Sequence, residues 1–343
     1  MSFATWCLMK ARVVTRTVAK ERRKLLRVSV LGCGRWGTFL AWYAATIGHA
    51  VCLWGRENST NFQRLRDEGS NEYLILPRGV NLSNSLETVL DNEYIIISIS
   101  SQNLREFAKE LRPFKPSDRK FILCMKGIES VTGKRLSQVF NEEIGTNCSV
   151  SIWVGPGHVQ DFVTGIPNCM VIGSEDIETT KDIVETFGSD LIPFYYGQDM
   201  IGNEIGAAAK NVMGIAAGML DGLNYRSLKG ALMARGAREI SRLVRVMGGN
   251  ELTVYGLSHL GDYEATLFSP HSHNRRFGQA FVQGERFEKL AEGVETVKAL
   301  RILSERHELE LPICNAIYSI LFEDRNSKDV LLDLFLRPLK FEF

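Results

Sequence analysis

Three groups of residues in this 343-residue chain have the types and spacing to do chemistry. The first is Gly32-Cys33-Gly34-Arg35-Trp36-Gly37, which follows the apolar run RVSVL and opens a helical pattern, the setting in which G-x-G-x-x-G binds a dinucleotide. Gly32 permits a tight turn, Gly34 lets backbone approach a pyrophosphate, and Gly37 lets the helix lie close on the strand. The helix N-terminus then offers free N–H groups to the anion. The second group centres on Lys210, which has Gly206, Ala207, Met213 and Gly214 at helical spacing around it. An ammonium among small apolar side chains is desolvated, its pKa falls toward neutrality, and it becomes usable as a base. Asn211 follows it, and Asp262, after Gly261, is a candidate charge partner. The third group meets a small anionic substrate: Lys126, closing the run KFILCMK where ligands of open α/β sheets bind, and the loop Ser272-His273-Asn274-Arg275-Arg276, whose polar and basic groups suit phosphate.

At the end of the second strand an acid hydrogen-bonds the ribose of NAD, whereas a base accommodates the extra phosphate of NADP. Arg56 comes first here and Glu57 next, so NADP is favoured and NAD stays open. His271, His273 and His158 near Asp262 lack the paired spacing of a zinc site, and no G-x-S-x-G elbow supports Ser-His-Asp hydrolysis.

These residues need a frame. From Arg27 the chain alternates short β-branched runs with amphipathic helical segments: RVSVL, AVCLW, YIIISIS (94–100), KFILCMK (120–126), VSIWV (150–154), NCMVIG (168–173) and LIPFYY (191–196). That pattern predicts an α/β fold, an N-terminal Rossmann-type doubly wound sheet. After about Met200 only helical spacing remains, predicting an all-helical C-terminal substrate domain. Its helices read as 202–222, 227–248, 251–257, 288–307, 312–323 and 328–334, with an irregular loop over 269–276. The domains are therefore a basic extension (1–26), a dinucleotide-binding domain (27–200) and a helical catalytic domain (201–343).

Composition sets the remaining bounds. The net charge of +1 gives no overall field for nucleic acid, and no apolar stretch approaches the ~20 residues of a membrane span. Seven scattered cysteines without C-x-x-C spacing read as reduced thiols of a cytoplasmic protein. Residues 1–27 hold eight bases and the single acid Glu21, which reads as an organelle transit peptide, a start placed upstream of Met9, or a solvated extension. The apolar faces of the second domain's helices suit a homodimer.

Taken in order, G-C-G-R-W-G (32–37), L-W-G-R (53–56), K-G-I-E-x-x-T-G-K (126–134), G-P (155–156), I-G-x-E-x-G-x-A-x-K-N (201–211), A-A-G-x-x-D-G-L (216–223), G-L-x-x-L-G-D (256–262) and N-R-R-F-G (274–278) resemble the soluble NAD(P)-dependent glycerol-3-phosphate dehydrogenases. The resemblance covers residues 28 to about 325. It implies reversible hydride transfer between NAD(P)H and dihydroxyacetone phosphate, giving sn-glycerol 3-phosphate for phospholipid synthesis. It further implies that Lys210 is the proton acceptor and donor, that Lys126 touches cofactor and substrate, and that Asn211, Asp262 and Thr266 line the substrate pocket. Gly155, Gly157, Ser272, His273 and Asn274 fall at substrate positions, and Arg35, Trp36, Arg56, Val159, His273 and Glu292 at cofactor positions, with Glu292 near the nicotinamide half.

The chain departs from the family beside the substrate. Where S-G-P-S-F-A is usual it has Val154-Gly155-Pro156-Gly157-His158-Val159, losing a hydroxyl and gaining an imidazole; where S-R-N-R-R is usual, His273 replaces an arginine. A histidine near pKa 6.5 is mostly neutral at pH 7, so phosphate affinity falls unless Arg275 or Arg276 compensates. Glu264 stands where the family prefers an aliphatic residue. Two further readings therefore stay open: an oxidoreductase of this architecture with another small hydroxy or keto substrate, and a nucleotide-sensing protein docking through its basic tail, against which the two lysines argue.

Overall fold

The computed structural model describes residues 25–336, and the readings of the basic segment before Leu25 lie outside them. One eight-stranded sheet runs in the order β3-β2-β1-β4-β5-β6-β7-β8. Its strands are β1 (Arg27–Leu31), β2 (Ala50–Trp54), β3 (Asn81–Ser83), β4 (Tyr94–Ile97), β5 (Lys120–Leu123), β6 (Ser149–Val154), β7 (Met170–Ser174) and β8 (Phe194–Gly197). The first six are parallel in the 3-2-1-4-5-6 order of a doubly wound dinucleotide fold. β7 then joins antiparallel to β6, and β8 parallel to β7.

The central strands are predominantly apolar because helices cover both faces. These are α1 (Arg35–Thr46), α2 (Thr60–Glu68), α3 (Leu86–Leu90), α4 (Leu104–Leu111), α5 (Leu136–Ile144), α6 (Val159–Val163) and α7 (Ile177–Phe187). Phe39 and Tyr43 of α1, Phe162 of α6 and Phe187 of α7 fill one side; Val89, Phe107 and Phe140 of α3, α4 and α5 fill the other. Ser29, buried in β1, donates to the Val89 carbonyl at 2.7 Å and accepts from the Asn92 amide at 2.8 Å, so its burial leaves no unpaired polar group.

The apolar runs overstate the strands. β4 stops at Ile97 and β5 at Leu123, so Ser98–Ser100 and Cys124–Lys126 leave the sheet at its carboxyl edge. Lys126 is thus a loop residue rather than the end of a strand.

Beyond β8 the described residues form α8 (Met200–Gly222), α9 (Lys229–Val246), α10 (His273–Gln283), α11 (Gly293–Arg306), α12 (Pro312–Phe322) and α13 (Ser327–Phe335). The expected helix at 251–257 is a short 3₁₀ turn over Glu251–Tyr255. The expected loop over 269–276 ends early, because Ser272 Oγ accepts from the Arg275 N–H at 3.3 Å and caps α10. Residues 288–292 stay outside α11.

α8 is the axis of the molecule. Every residue from Gly202 to Asp221 is buried, as expected of a helix apolar on all sides. A Cβ on Gly218 would lie 1.9 Å from the Arg275 carbonyl oxygen, and one on Gly278 2.1 Å from that of Ile215. α8 and α10 therefore meet backbone to backbone, fixing the start of α10 relative to Lys210.

Candidate functional site

A cleft of about 700 Å³ opens along the carboxyl edge of β1, β4 and β5 and is closed by α8, α10 and the residues before α11. The glycine loop forms one end. Gly32 has φ +117°, a conformation that favours glycine, and its N–H donates to the Trp54 carbonyl at 3.0 Å. A Cβ on Gly37 would strike the Gly32 carbonyl oxygen at 1.9 Å, whereas one on Gly34 meets nothing within 4 Å. The loop thus presents bare backbone and the N-terminus of α1 to the cleft, a cradle that fits a dinucleotide pyrophosphate. Arg35 and Trp36 line it, Arg35 lying over the Tyr73 ring at 5.7 Å.

At the rim, Arg56 lies over Trp54 and donates to Glu110 Oε1 at 2.7 Å, while Glu57 pairs with Arg66. Arg56 lines the cleft and stays 55% exposed.

The opposite wall holds the charged centre. Lys210, 7% exposed, donates to Thr266 Oγ1 at 2.6 Å and lies 2.8 Å from Asp262 Oδ2. Lys126 donates to the same Asp262 oxygen at 2.7 Å and to the Gly155 carbonyl at 2.7 Å. Two ammonium groups so share one carboxylate that is 1% exposed. Burial lowers the Lys210 pKa to about 8; Asp262 opposes that fall and Lys126 adds to it. Asn211, one residue on, donates its amide to the Lys126 carbonyl at 2.9 Å and holds that loop against α8.

Glu292 lines the cleft between the two ends, its Oε1 accepting from the Ser101 N–H at 3.1 Å. Its shielded carboxyl is pushed above the ordinary range. Asn274 Oδ1 accepts from the Gly293 N–H at 2.9 Å and ties α10 to α11. His273 donates from Nδ1 to the Leu290 carbonyl at 3.2 Å; burial, then Arg35, lowers its pKa.

Most of the residues singled out in the sequence converge on this cleft, but several do not. Val159 is 1% exposed and sits in the core with Phe39 and Phe162, so its side chain is withdrawn. Arg275 turns away to Asp221 Oδ2 at 2.6 Å, and Arg276 lies over the Phe287 ring at 5.7 Å, so the arginine neighbours of His273 have other partners. Glu264 is exposed at the start of a π-helical turn, Glu264–Phe268. Gly157 has φ +147°, and a Cβ there would lie 2.3 Å from the Phe162 ring. The hydroxyl missing at this position is thus matched by an aromatic ring filling its space. Sequence reasoning missed Ser98, Ser100, Asn103 and His271 as lining residues; the loops after β1, β4 and β5 share one edge, a signal that marked the loops after β1 and β5 and points equally to the one after β4.

The paired sequence models described as NAD-dependent glycerol-3-phosphate dehydrogenase N-terminus and C-terminus match residues 27–180 and 199–332. A glycerol-3-phosphate dehydrogenase [NAD(P)+] of Clostridium botulinum is 35% identical over 329 residues, spanning 92% of this chain and 99% of its own. That of Prosthecochloris aestuarii is 36% identical over 328 residues, spanning 91% and 98%. Among solved structures, the glycerol-3-phosphate dehydrogenase of Coxiella burnetii superposes with a TM-score of 0.85 at 28% identity, covering 91% of this chain and 99% of that one.

Proposed function

The chain belongs to the NAD-dependent glycerol-3-phosphate dehydrogenases, and we propose on that premise that it interconverts dihydroxyacetone phosphate and sn-glycerol 3-phosphate with Lys210 as the proton-transferring residue. The observation that carries this reading is the buried carboxylate of Asp262 bridging Lys210 and Lys126 across the cleft from the glycine loop. The bound dinucleotide supplies the hydride in one direction and accepts it in the other. Each remaining task falls to the side chains and backbone of the protein.

Lys210 spends two of its three N–H bonds on Thr266 and Asp262, leaving one for an oxygen in the cleft. During reduction the carbonyl oxygen gains negative charge and takes that proton; during oxidation the neutral amine takes the hydroxyl proton back. A pKa lowered to about 8 suits both roles near neutral pH. Asp262 keeps the two ammonium groups from repelling each other and fixes where Lys210 points, while Lys126 stays beside the substrate as a positive charge. Gly32, Gly34 and Gly37 hold the pyrophosphate, Glu292 meets the nicotinamide half, and Ser272 and Asn274 receive the substrate from the start of α10.

For the cofactor we propose NADP in preference to NAD, through Arg56. We also assign a reducing compartment and a homodimer; the six described cysteines, all free, support the first. The test follows loss of NADPH absorbance with dihydroxyacetone phosphate, beside NADH and beside unphosphorylated dihydroxyacetone. Phosphate-dependent turnover is expected; turnover only with the unphosphorylated compound contradicts the reading.

A further inference from the structure

Arg275 is held by Asp221, Arg276 lies over Phe287, and the two lysines share Asp262, so the cleft's most obvious cations already have partners. Two histidines on its wall do not. His158 follows the Gly155-Pro156-Gly157 turn, His271 precedes α10, and both line the cleft. Their rings meet edge to face, centroids 5.7 Å apart. Neither imidazole hydrogen-bonds to any described residue, and Nε2 of His158 is buried with no partner, which leaves Nδ1 as the ring nitrogen for the cleft.

We propose that His158 and His271 together bind the phosphate of the substrate, one imidazole donor from each residue. This rests on the dehydrogenase reading given above. Hydrogen bonds of about 2.7–3.2 Å from each ring nitrogen let a pair at this spacing reach two oxygens of one phosphate. The substrate's phosphate fits better than the cofactor's pyrophosphate because His158 shares a turn with Gly155, whose carbonyl holds Lys126, and faces Asp262, the counter-ion of both lysines.

The charged and titratable groups facing His158 are Asp161 on its own helix, Arg35 of the glycine loop, Asp262, and His271. Without an anion, burial lowers the His158 pKa to about 4, and Arg35 and His271 contribute to that fall. A phosphate dianion beside both rings reverses this balance and draws a proton onto the pair. Substrate binding is then strongest where the bound imidazole is protonated, and it weakens as pH rises through the bound-state pKa.

The experiment measures KM and kcat for dihydroxyacetone phosphate, KM for NADPH, and competitive inhibition by inorganic phosphate, in the full chain and in His158→Phe, His158→Gln and His271→Ala. His158→Phe is expected to raise the substrate KM and the phosphate inhibition constant about tenfold or more, with the NADPH KM unmoved and kcat changed far less. His158→Gln, a donor that cannot be protonated, restores part of the loss and flattens the dependence of KM between about pH 6 and pH 8.5. His271→Ala acts at an exposed ring and keeps the test open if His158→Phe fails to fold. An unchanged substrate KM in both His158→Gln and His271→Ala, or a shift in the NADPH KM instead, overturns the assignment while the dehydrogenase reading stands. Absence of turnover in the wild type overturns both.

Discussion

At the scale of single residues, the roles proposed for Arg56 and Lys210 separate cofactor choice from proton transfer. Arg56 sits at the rim, more than half exposed and held by Glu110, where the ribose phosphate of NADP, in the proposed role, would compete for its guanidinium. A charge-assisted hydrogen bond of this kind is worth about 1.5–3 kcal/mol before solvent screening, so Arg56→Ala should raise the NADPH KM about tenfold and leave that of NADH nearly unchanged. Equal losses on both cofactors would mean that Arg56 supports the loop rather than selecting a phosphate. Lys210 is the opposite case, a cation deep in the protein whose local sequence already announced its environment: Gly206, Ala207, Met213 and Gly214 leave it no polar neighbour three or four residues away on its own helix. Its partner Thr266 and the second lysine sharing Asp262, Lys126, were not legible from spacing alone, since they lie 56 and 84 residues away and come near it only through the fold.

At the scale of elements, the decisive contact is between α8 and α10. Gly214, Gly218 and Gly222 recur every four residues along α8, and a Cβ on any of them would meet Thr266, Arg275 or Val282 within 2.8 Å. Gly218→Ala forces the backbones apart and should cost about 1–3 kcal/mol, with a raised substrate KM because His273 and Asn274 ride on the displaced helix. Gly230→Ala is the control: a Cβ there meets nothing within 4 Å, and this change should be neutral or stabilising. Thermal unfolding of both variants checks the claim, and equal losses would contradict it. Asp221 reinforces the same contact by pairing with Lys229 at 2.7 Å and Arg275 at 2.6 Å, a role that residue spacing alone does not reveal. Periodicity showed α8 and the apolar strands clearly, because they are buried on all sides or both faces. It missed α2, β3 and α3, which are short or amphipathic at the sheet edge, and it extended β4 and β5 into loops whose apolar residues face the cleft.

At the scale of the whole molecule, a doubly wound sheet and a helical body share one groove. Residues 32–36, 98–103 and 124–126 come from the carboxyl edge of the sheet, residues 210–211, 262–274 and 292 from the helical part, and neither set completes the site alone. Α helix buried along nearly its whole length, α8, joins the two: its Met200 and Ala207 belong to the core beside the sheet, and Ala208 through Leu220 to the helical core. Among the described residues no helix is long and apolar enough to cross a membrane. The glycine loop, both lysines and Asp262 were readable in the sequence because their chemistry demands particular residue types. Of the histidine pair, His158 was readable as a departure from the family pattern and His271 only as a histidine near Asp262 without zinc spacing, since their meaning depends on which partners the arginines nearby have already taken.

The central claim is that Lys210 transfers the proton, and the pH dependence of the rate in both directions tests it most directly. The sign follows from a lysine whose pKa is lowered to about 8: reduction needs the protonated form and is lost as pH rises through that value, whereas oxidation needs the neutral form and grows until it is passed. Lys210→Arg keeps the charge but cannot release its proton near neutral pH, so both rates should fall by about 10²–10⁴ and the opposing limbs should vanish. If Lys210→Arg retains most of the rate with both limbs intact, Lys210 contributes only charge and the proton travels by another group.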